Sequence, residues 1–105
     1  MQNTLLDVMK TELAPLLPTH AEVLLFGSRA RGTEGEGSDW DVLILLDREG
    51  GSSWDDYDKI GYPVNMVFWK HGQDVNTIIQ TKNEWKRKSF TPFYKNVMQD
   101  AITIV

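Results

Sequence analysis

Leu5, Leu6, Met9, Leu13 and Leu16 recur at intervals of three and four, and this spacing predicts an amphipathic helix from about Thr4 that ends near Pro15 to Pro18. Its apolar stripe is expected to cover a sheet. Two unbroken apolar runs follow, EVLLFG from Glu22 to Gly27 and DWDVLILLD from Asp39 to Asp47. Short runs of this kind, stopped by glycine or by acids, read as strands buried on both faces. A glycine-rich turn separates them.

The pattern is less regular further on. REGGSSWDDYDKIGYP, starting at Arg48, reads as a loop with a short helix from Ser53 to Ile60, capped by Ser52 or Ser53. PVNMVFW, Pro63 to Trp69, alternates well enough to predict a third strand, with Asn65 as its one polar member. DVNTIIQ and TKNEWKRKSF read as helical or irregular. TPFYKNVMQDA predicts a helix with Thr91 as N-cap and Pro92 at its first position, and ITIV closes the chain as an edge strand or tail. No internal repeat or linker is visible, so one α/β domain of the α+β type, residues 1–105, is expected to account for the whole chain.

A chain of 105 residues can bury a single core, so a bulky substrate is expected to sit partly outside it or against another chain. Eleven basic and fifteen acidic residues give a formal charge of −4, which argues against a general nucleic-acid-binding surface. The absence of cysteine rules out a disulfide framework, a thiol nucleophile and a thiolate-bound zinc, and points to a cytoplasmic protein. Asp7, Lys10 and Glu12 interrupt the N-terminal apolar residues, so neither a signal peptide nor a membrane span is expected there.

The chemistry concentrates between the first two apolar runs. Residues two apart on a strand share a face, so Asp39 and Asp41 are expected to present two carboxylates a few ångströms apart. Such a pair repels unless a proton or a cation lies between its members, and a hard divalent ion such as Mg²⁺ takes one or two carboxylates together with waters and substrate phosphates. Upstream, GSRARG offers a glycine turn into a short helix, where backbone N–H groups and the Ser28 hydroxyl can meet a phosphate. Arg29 and Arg31 either clamp the polyphosphate or pair with nearby acids. An anion cradle beside a carboxylate pair describes a site for a metal-chelated nucleoside triphosphate.

The stretch FGSRARGTEGEGSDWDVLILLD, about a fifth of the chain, resembles the nucleotidyltransferase superfamily that includes DNA polymerase beta, and in particular its minimal nucleotidyltransferase members. The resemblance implies a small mixed sheet with helices packed on it, the palm of that superfamily. It implies transfer of a nucleoside monophosphate from an NTP, ATP foremost, to an acceptor hydroxyl, with two Mg²⁺ ions as cofactors. Carried over, Gly27 and Ser28 hold the β- and γ-phosphates, Arg29, Arg31 and Ser38 join the nucleotide site, and Asp39 and Asp41 are the catalytic metal ligands. A helical HEPN-type protein, in a toxin–antitoxin pair, is the partner the resemblance suggests.

The superfamily carries a third carboxylate on the next strand, and on the strand expected at Pro63 to Trp69 that place falls to Asn65. Asparagine offers an oxygen without charge and cannot accept a proton. Asp47 is ~20 Å from Asp41 along an extended strand, too far to replace it. Asp55, Asp56 or Asp58 would have to swing in from their loop. The competing expectation is a nucleotide-binding or partner-binding module without catalysis.

The other candidates have plainer readings. His20 and His71 lack partners at metal-ligand spacing and read as surface residues. Trp40 points away from the acids and is expected to pack against a helix. Glu34 and Glu36 lie in a flexible glycine loop beside the phosphate site. Lys82, Lys86, Arg87, Lys88 and Lys95, mixed with Trp85, Phe90, Phe93 and Tyr94, form either a solvated helix face over a core stripe or an acceptor or partner surface.

Overall fold

The computed structural model describes residues 4–35 and 37–105; Glu36, one of the two loop acids, lies outside them. Helix α1 (Thr4–Leu13) runs into a short tight turn, Ala14–Leu16, and then β1 (Glu22–Phe26), α2 (Ser28–Arg31) and β2 (Trp40–Leu46). A crossover follows, made of α3 (Trp54–Asp56), a π-helical turn (Tyr57–Gly61) and α4 (Tyr62–Lys70), before β3 (Val75–Thr81). Helices α5 (Lys82–Arg87) and α6 (Pro92–Asp100) and strand β4 (Ile102–Thr103) complete the order. The four strands form one mixed sheet in the order β3-β2-β1-β4. β1 is antiparallel to both β2 and β4, whereas β2 and β3 are parallel.

Alternation along the strands sorts the apolar residues onto two faces. Val23, Leu25, Val42, Ile44 and Leu46 meet Met9 and Leu13 of α1 and Val64, Val67 and Phe68 of α4, all buried. Leu24, Leu43 and Leu45 turn the other way onto Trp85 of α5 and Val97 of α6. Burial on both sides is why β1 and β2 are uninterrupted apolar runs rather than alternating ones. Each large side chain removed from water in this way contributes about 1.5–3 kcal/mol.

The expected third strand is a helix. Pro63 lies near the start of α4, directly after the π-helical turn, and the buried set Val64, Val67, Phe68 follows three- and four-residue spacing while Met66 and Trp69 remain half-exposed. Over seven residues Val64, Met66 and Phe68 also fall on alternate positions, which is why the run reads either way. Gly61 lets the crossover lie flat on the sheet, since a Cβ there would come within 2.7 Å of Ile79 Cδ1.

The true third strand is Val75–Thr81, a segment expected to be helical or irregular. Its β-branched residues, Val75, Thr77, Ile78 and Ile79, suit an extended edge strand, and seven residues of register with β2 fix it from Trp40↔Val75 to Leu46↔Thr81. Thr81 then caps α5, accepting from Glu84 N at 3.1 Å while Glu84 accepts from Thr81 N at 2.8 Å. Thr91 caps α6 as expected, accepting from Tyr94 N at 3.2 Å, with Pro92 first in the helix. β4 is the edge strand expected of the C-terminal residues.

The loop after β2 is fastened by one ion pair. Arg48 donates to both carboxylate oxygens of buried Asp56 at 2.5 Å and to the Gly51 carbonyl at 2.9 Å, while Ser53 N donates to Asp56 Oδ2 at 2.7 Å. Ser53 is therefore the cap of α3. Arg48, and secondarily Ser53, hold the Asp56 carboxyl below the ordinary carboxylate range. No helix among the described residues is long and apolar enough to cross a membrane.

Candidate functional site

The site lies where β1 ends and β2 begins, two points brought together by their antiparallel register, Phe26↔Asp41. After Phe26 the chain turns through Gly27 at φ +76°, a conformation that residues with a side chain rarely adopt. The Gly27 carbonyl accepts from Ala30 N and Arg31 N, both at 3.1 Å, so the turn is continuous with α2. Gly32, also left-handed at φ +75°, ends that helix. Ser28 is its first residue, and the Ser28 carbonyl accepts from Thr33 N at 3.0 Å.

Gly27 also faces Asp41 directly. A Cβ built on Gly27 would lie closer than 3.0 Å to Asp41 Oδ2 and 3.3 Å from its Cγ, so the turn and the carboxylate are in contact with no room for a side chain between them. The turn expected to meet phosphate and the carboxylate expected to bind metal are thus built against one another.

Trp40 opens β2 and points into the core at 1% exposure, which leaves Asp39 and Asp41 on the opposite face. Asp39 is exposed and Asp41 half-buried. On the neighbouring strand the residue in register with Asp41 is Asn76. Its Nδ2 lies 3.3 Å from Asp39 Oδ2 and 3.2 Å from Asp41 Oδ1, so one amide nitrogen donates to both carboxylates. Trp40 N donates to the Asp74 carbonyl at 2.9 Å and anchors the start of β3 beside the start of β2.

Asn65 is not part of this group. It lies on α4, at the opposite face of the sheet, where it is buried, donates to the Tyr57 hydroxyl at 3.2 Å and accepts from Thr77 Oγ1. Expecting a strand at 63–69 put the right residue type at the wrong position: the next strand does present an asparagine to the acids, but it is Asn76. The acids after β2 do not reach the site either. Asp56 is bound to Arg48, and Asp55 to Lys59 at 3.0 Å, near the far end of β2. Among the described residues no three histidines, cysteines, aspartates or glutamates converge as a metal site. The donor set is two carboxylates and an amide, all hard oxygen sources of the kind Mg²⁺ accepts, with its other positions left to water and phosphate.

The two arginines are engaged with protein groups. Arg29 donates from Nε at 3.2 Å and from Nη2 at 2.7 Å to the Ser38 carbonyl, and its guanidinium stacks 4.6 Å over the Trp40 ring. Trp40 is braced from its other neighbours by Phe68, with ring centroids 5.8 Å apart, and by its Nε1–H to Gln73 Oε1 at 3.0 Å. Ser38 Oγ accepts from Gly35 N at 2.9 Å. Arg29 and Ser38 therefore pin the loop that delivers Asp39. Arg31 pairs with Asp100 at 2.7 Å and ties α2 to the end of α6.

The remaining candidates lie elsewhere. His71 Nε2 is 2.5 Å from Glu12, which also binds Lys70, a contact that joins α1 to the end of α4. Lys86, Arg87, Lys88 and Lys95 are exposed around buried Trp85, and Phe90 and Phe93 of the same stretch are exposed with them. Glu34 is exposed.

Known proteins resemble the chain as a whole. A family model described as a nucleotidyltransferase domain matches residues 6–100. A candidate protein adenylyltransferase of Methanocaldococcus jannaschii is 30% identical over 80 residues, 76% of this chain and 73% of that protein. Among solved structures, one component of a toxin–antitoxin crystallised with AMP-PNP superposes with a TM-score of 0.64 at 17% identity, covering 95% of this chain and 72% of that one. A candidate nucleotidyltransferase from Sulfolobus solfataricus gives a TM-score of 0.61 at 24% identity, covering 95% and 76% respectively. At these identities the two structures establish the mixed sheet and its helices.

Proposed function

The chain belongs to the nucleotidyltransferase domain family, and from that premise we propose that it transfers a nucleoside monophosphate from an NTP, ATP foremost, to a hydroxyl on a protein, with Mg²⁺ held by Asp39 and Asp41. The observation that supports this reading is the contact of Gly27 with Asp41, which sets the turn proposed to hold phosphate directly against one of the two carboxylates.

In the proposed reaction the acceptor oxygen forms a bond to the α-phosphorus, the bond from that phosphorus to the bridging oxygen breaks, and pyrophosphate leaves. The Gly27–Ser28 turn holds the β- and γ-phosphates, close to the backbone because Gly27 has no side chain. Asp39 and Asp41 hold the metal, which when bound screens the phosphate charge from the carboxylates and polarises the phosphoryl group. Arg29 acts through Ser38, keeping Asp39 in place. Asn76 contributes no negative charge and cannot take the proton of the acceptor hydroxyl, which leaves that proton to an aspartate or to solvent.

A protein acceptor is supported by the name of the M. jannaschii relative, and ATP and a protein partner by the toxin–antitoxin structure with AMP-PNP. The partner expected from the sequence is a small helical protein of HEPN type. A second reading, nucleotide binding without transfer, draws on Asn76, the neutral group where the superfamily has an acid. Incubation with labelled ATP, CTP, GTP and UTP, Mg²⁺ and co-purifying proteins separates the two. Label appearing on a protein supports transfer; retained NTP with no label in any combination favours the second reading.

A further inference from the structure

We infer that Asn76 is a built-in stand-in for the metal: its amide nitrogen bridges Asp39 and Asp41 in the free chain, and a half-turn of the same amide supplies an oxygen ligand when a divalent cation arrives. The inference rests on Asp39 and Asp41 being the metal ligands.

Two carboxylates on one strand face repel and need positive charge or donors between them. The nearest cations in sequence do not supply it, since Arg29 is spent on the Ser38 carbonyl and the Trp40 ring, and Arg31 on Asp100. What lies between the acids is the carboxamide of Asn76, at 3.3 Å and 3.2 Å from one oxygen of each. An amide nitrogen carries two N–H groups, one for each carboxylate. The opposite orientation would aim the amide oxygen at two negative oxygens, so the hydrogen-bond network itself selects the nitrogen.

A cation held by both aspartates would meet the N–H hydrogens that point at them, a repulsive arrangement, so the amide would have to turn or withdraw. The amide resolves the conflict without extra room. Rotation by about 180° about Cβ–Cγ exchanges –NH₂ for the nearly isosteric C=O and converts a donor into a hard oxygen ligand. Asn76 is itself exposed and lies on an edge strand. The site is thereby tuned to hold its acids together when empty and to bind the ion with two negative charges rather than three.

The test reads the side-chain amide directly. In a ¹H–¹⁵N spectrum of the full chain, the Nδ2 resonances of Asn76 are assigned by their absence in Asn76→Asp, and Mg²⁺ is titrated in without nucleotide. The expected result is that this pair shifts with the same midpoint as the backbone amides of residues 39–41. Calorimetry with Mn²⁺ should show Asn76→Asp binding at least about tenfold more tightly, since a third carboxylate replaces the bridge. If the backbone amides move while the Asn76 side chain stays still, or Asn76→Asp binds Mn²⁺ no better, the inference is overturned and the Asp39–Asp41 site stands. If nothing at residues 39–41 responds to either ion, the metal reading fails first and the inference with it.

Discussion

The Asp41 carboxylate fills the space that a side chain at Gly27 would need, so the turn after β1 and the first acid of β2 constrain each other. Gly27→Ala meets this contact and a left-handed φ of +76° at once. With ψ at −158° this is a region open essentially to glycine alone, and the backbone strain costs about 1–3 kcal/mol. Displacing Asp41 by about 1 Å should lower transfer on the order of 10²-fold. Thermal unfolding and label transfer on the same preparation check both effects; an Ala variant with full activity would separate the glycine from the site.

Asp39 is exposed, so Asp39→Ala should leave stability within about 0.5 kcal/mol of the parent while abolishing its share of the metal site. Loss of metal-derived stabilisation of several kcal/mol corresponds to about 10³-fold in rate. Asp41→Ala should match it in rate. Undiminished transfer by either variant would put the metal ligands elsewhere.

Arg29 distinguishes a brace from a phosphate clamp. As a brace, with two bonds to the Ser38 carbonyl and a stack on Trp40, its replacement by Ala should cost about 1–2 kcal/mol in urea denaturation. Arg29→Lys, which lacks the planar fork, should recover less than half of that. A phosphate clamp gives the opposite pattern: stability unchanged, KM for NTP raised by Ala, and Lys sufficient to restore it.

Acid should loosen the loop after β2. The Arg48 hydrogen bonds lower the Asp56 carboxyl below its ordinary 3.8, and the Thr81 and Ser52 N–H groups lower Glu84 below 4.5. A depressed carboxyl binds protons more readily when unfolded, so its contribution is complete above the ordinary value and is lost as pH falls through the folded one. Stability measured from about pH 5 downward should therefore fall faster in the parent than in Asp56→Asn or Glu84→Gln. Parallel curves would mean that these contacts do not persist in solution.

The parts of the molecule legible in the sequence were those specified by neighbours in the chain. The Gly27 turn, the acids flanking Trp40, the two doubly buried strands and the Thr91–Pro92 cap each rest on a few adjacent residues. The crossover reads as a strand because Val64, Met66 and Phe68 alternate while Val64, Val67 and Phe68 follow helical spacing, and β3 is obscured because an edge strand, half exposed, lacks the continuous apolar signal of β1 and β2. Asn76 was missed for a deeper reason. Its membership depends on which residue of β3 pairs with Asp41, and register between parallel strands leaves no local mark. The β-branched residues after Asp74 were the one available hint.

Parallel pairing of β2 with β3 also dates the site. The two strands start at the same end of the sheet, so the chain must travel the full length of β2 and back through α3 and α4 before Asn76 can reach Asp41. During synthesis, Asp39 and Asp41 leave the ribosome well ahead of the amide that will sit between them. Until the crossover has packed, the acids are solvated and unbridged. The bridge to the acids therefore forms only after the crossover has packed, with α5, α6 and β4 still to follow in the chain.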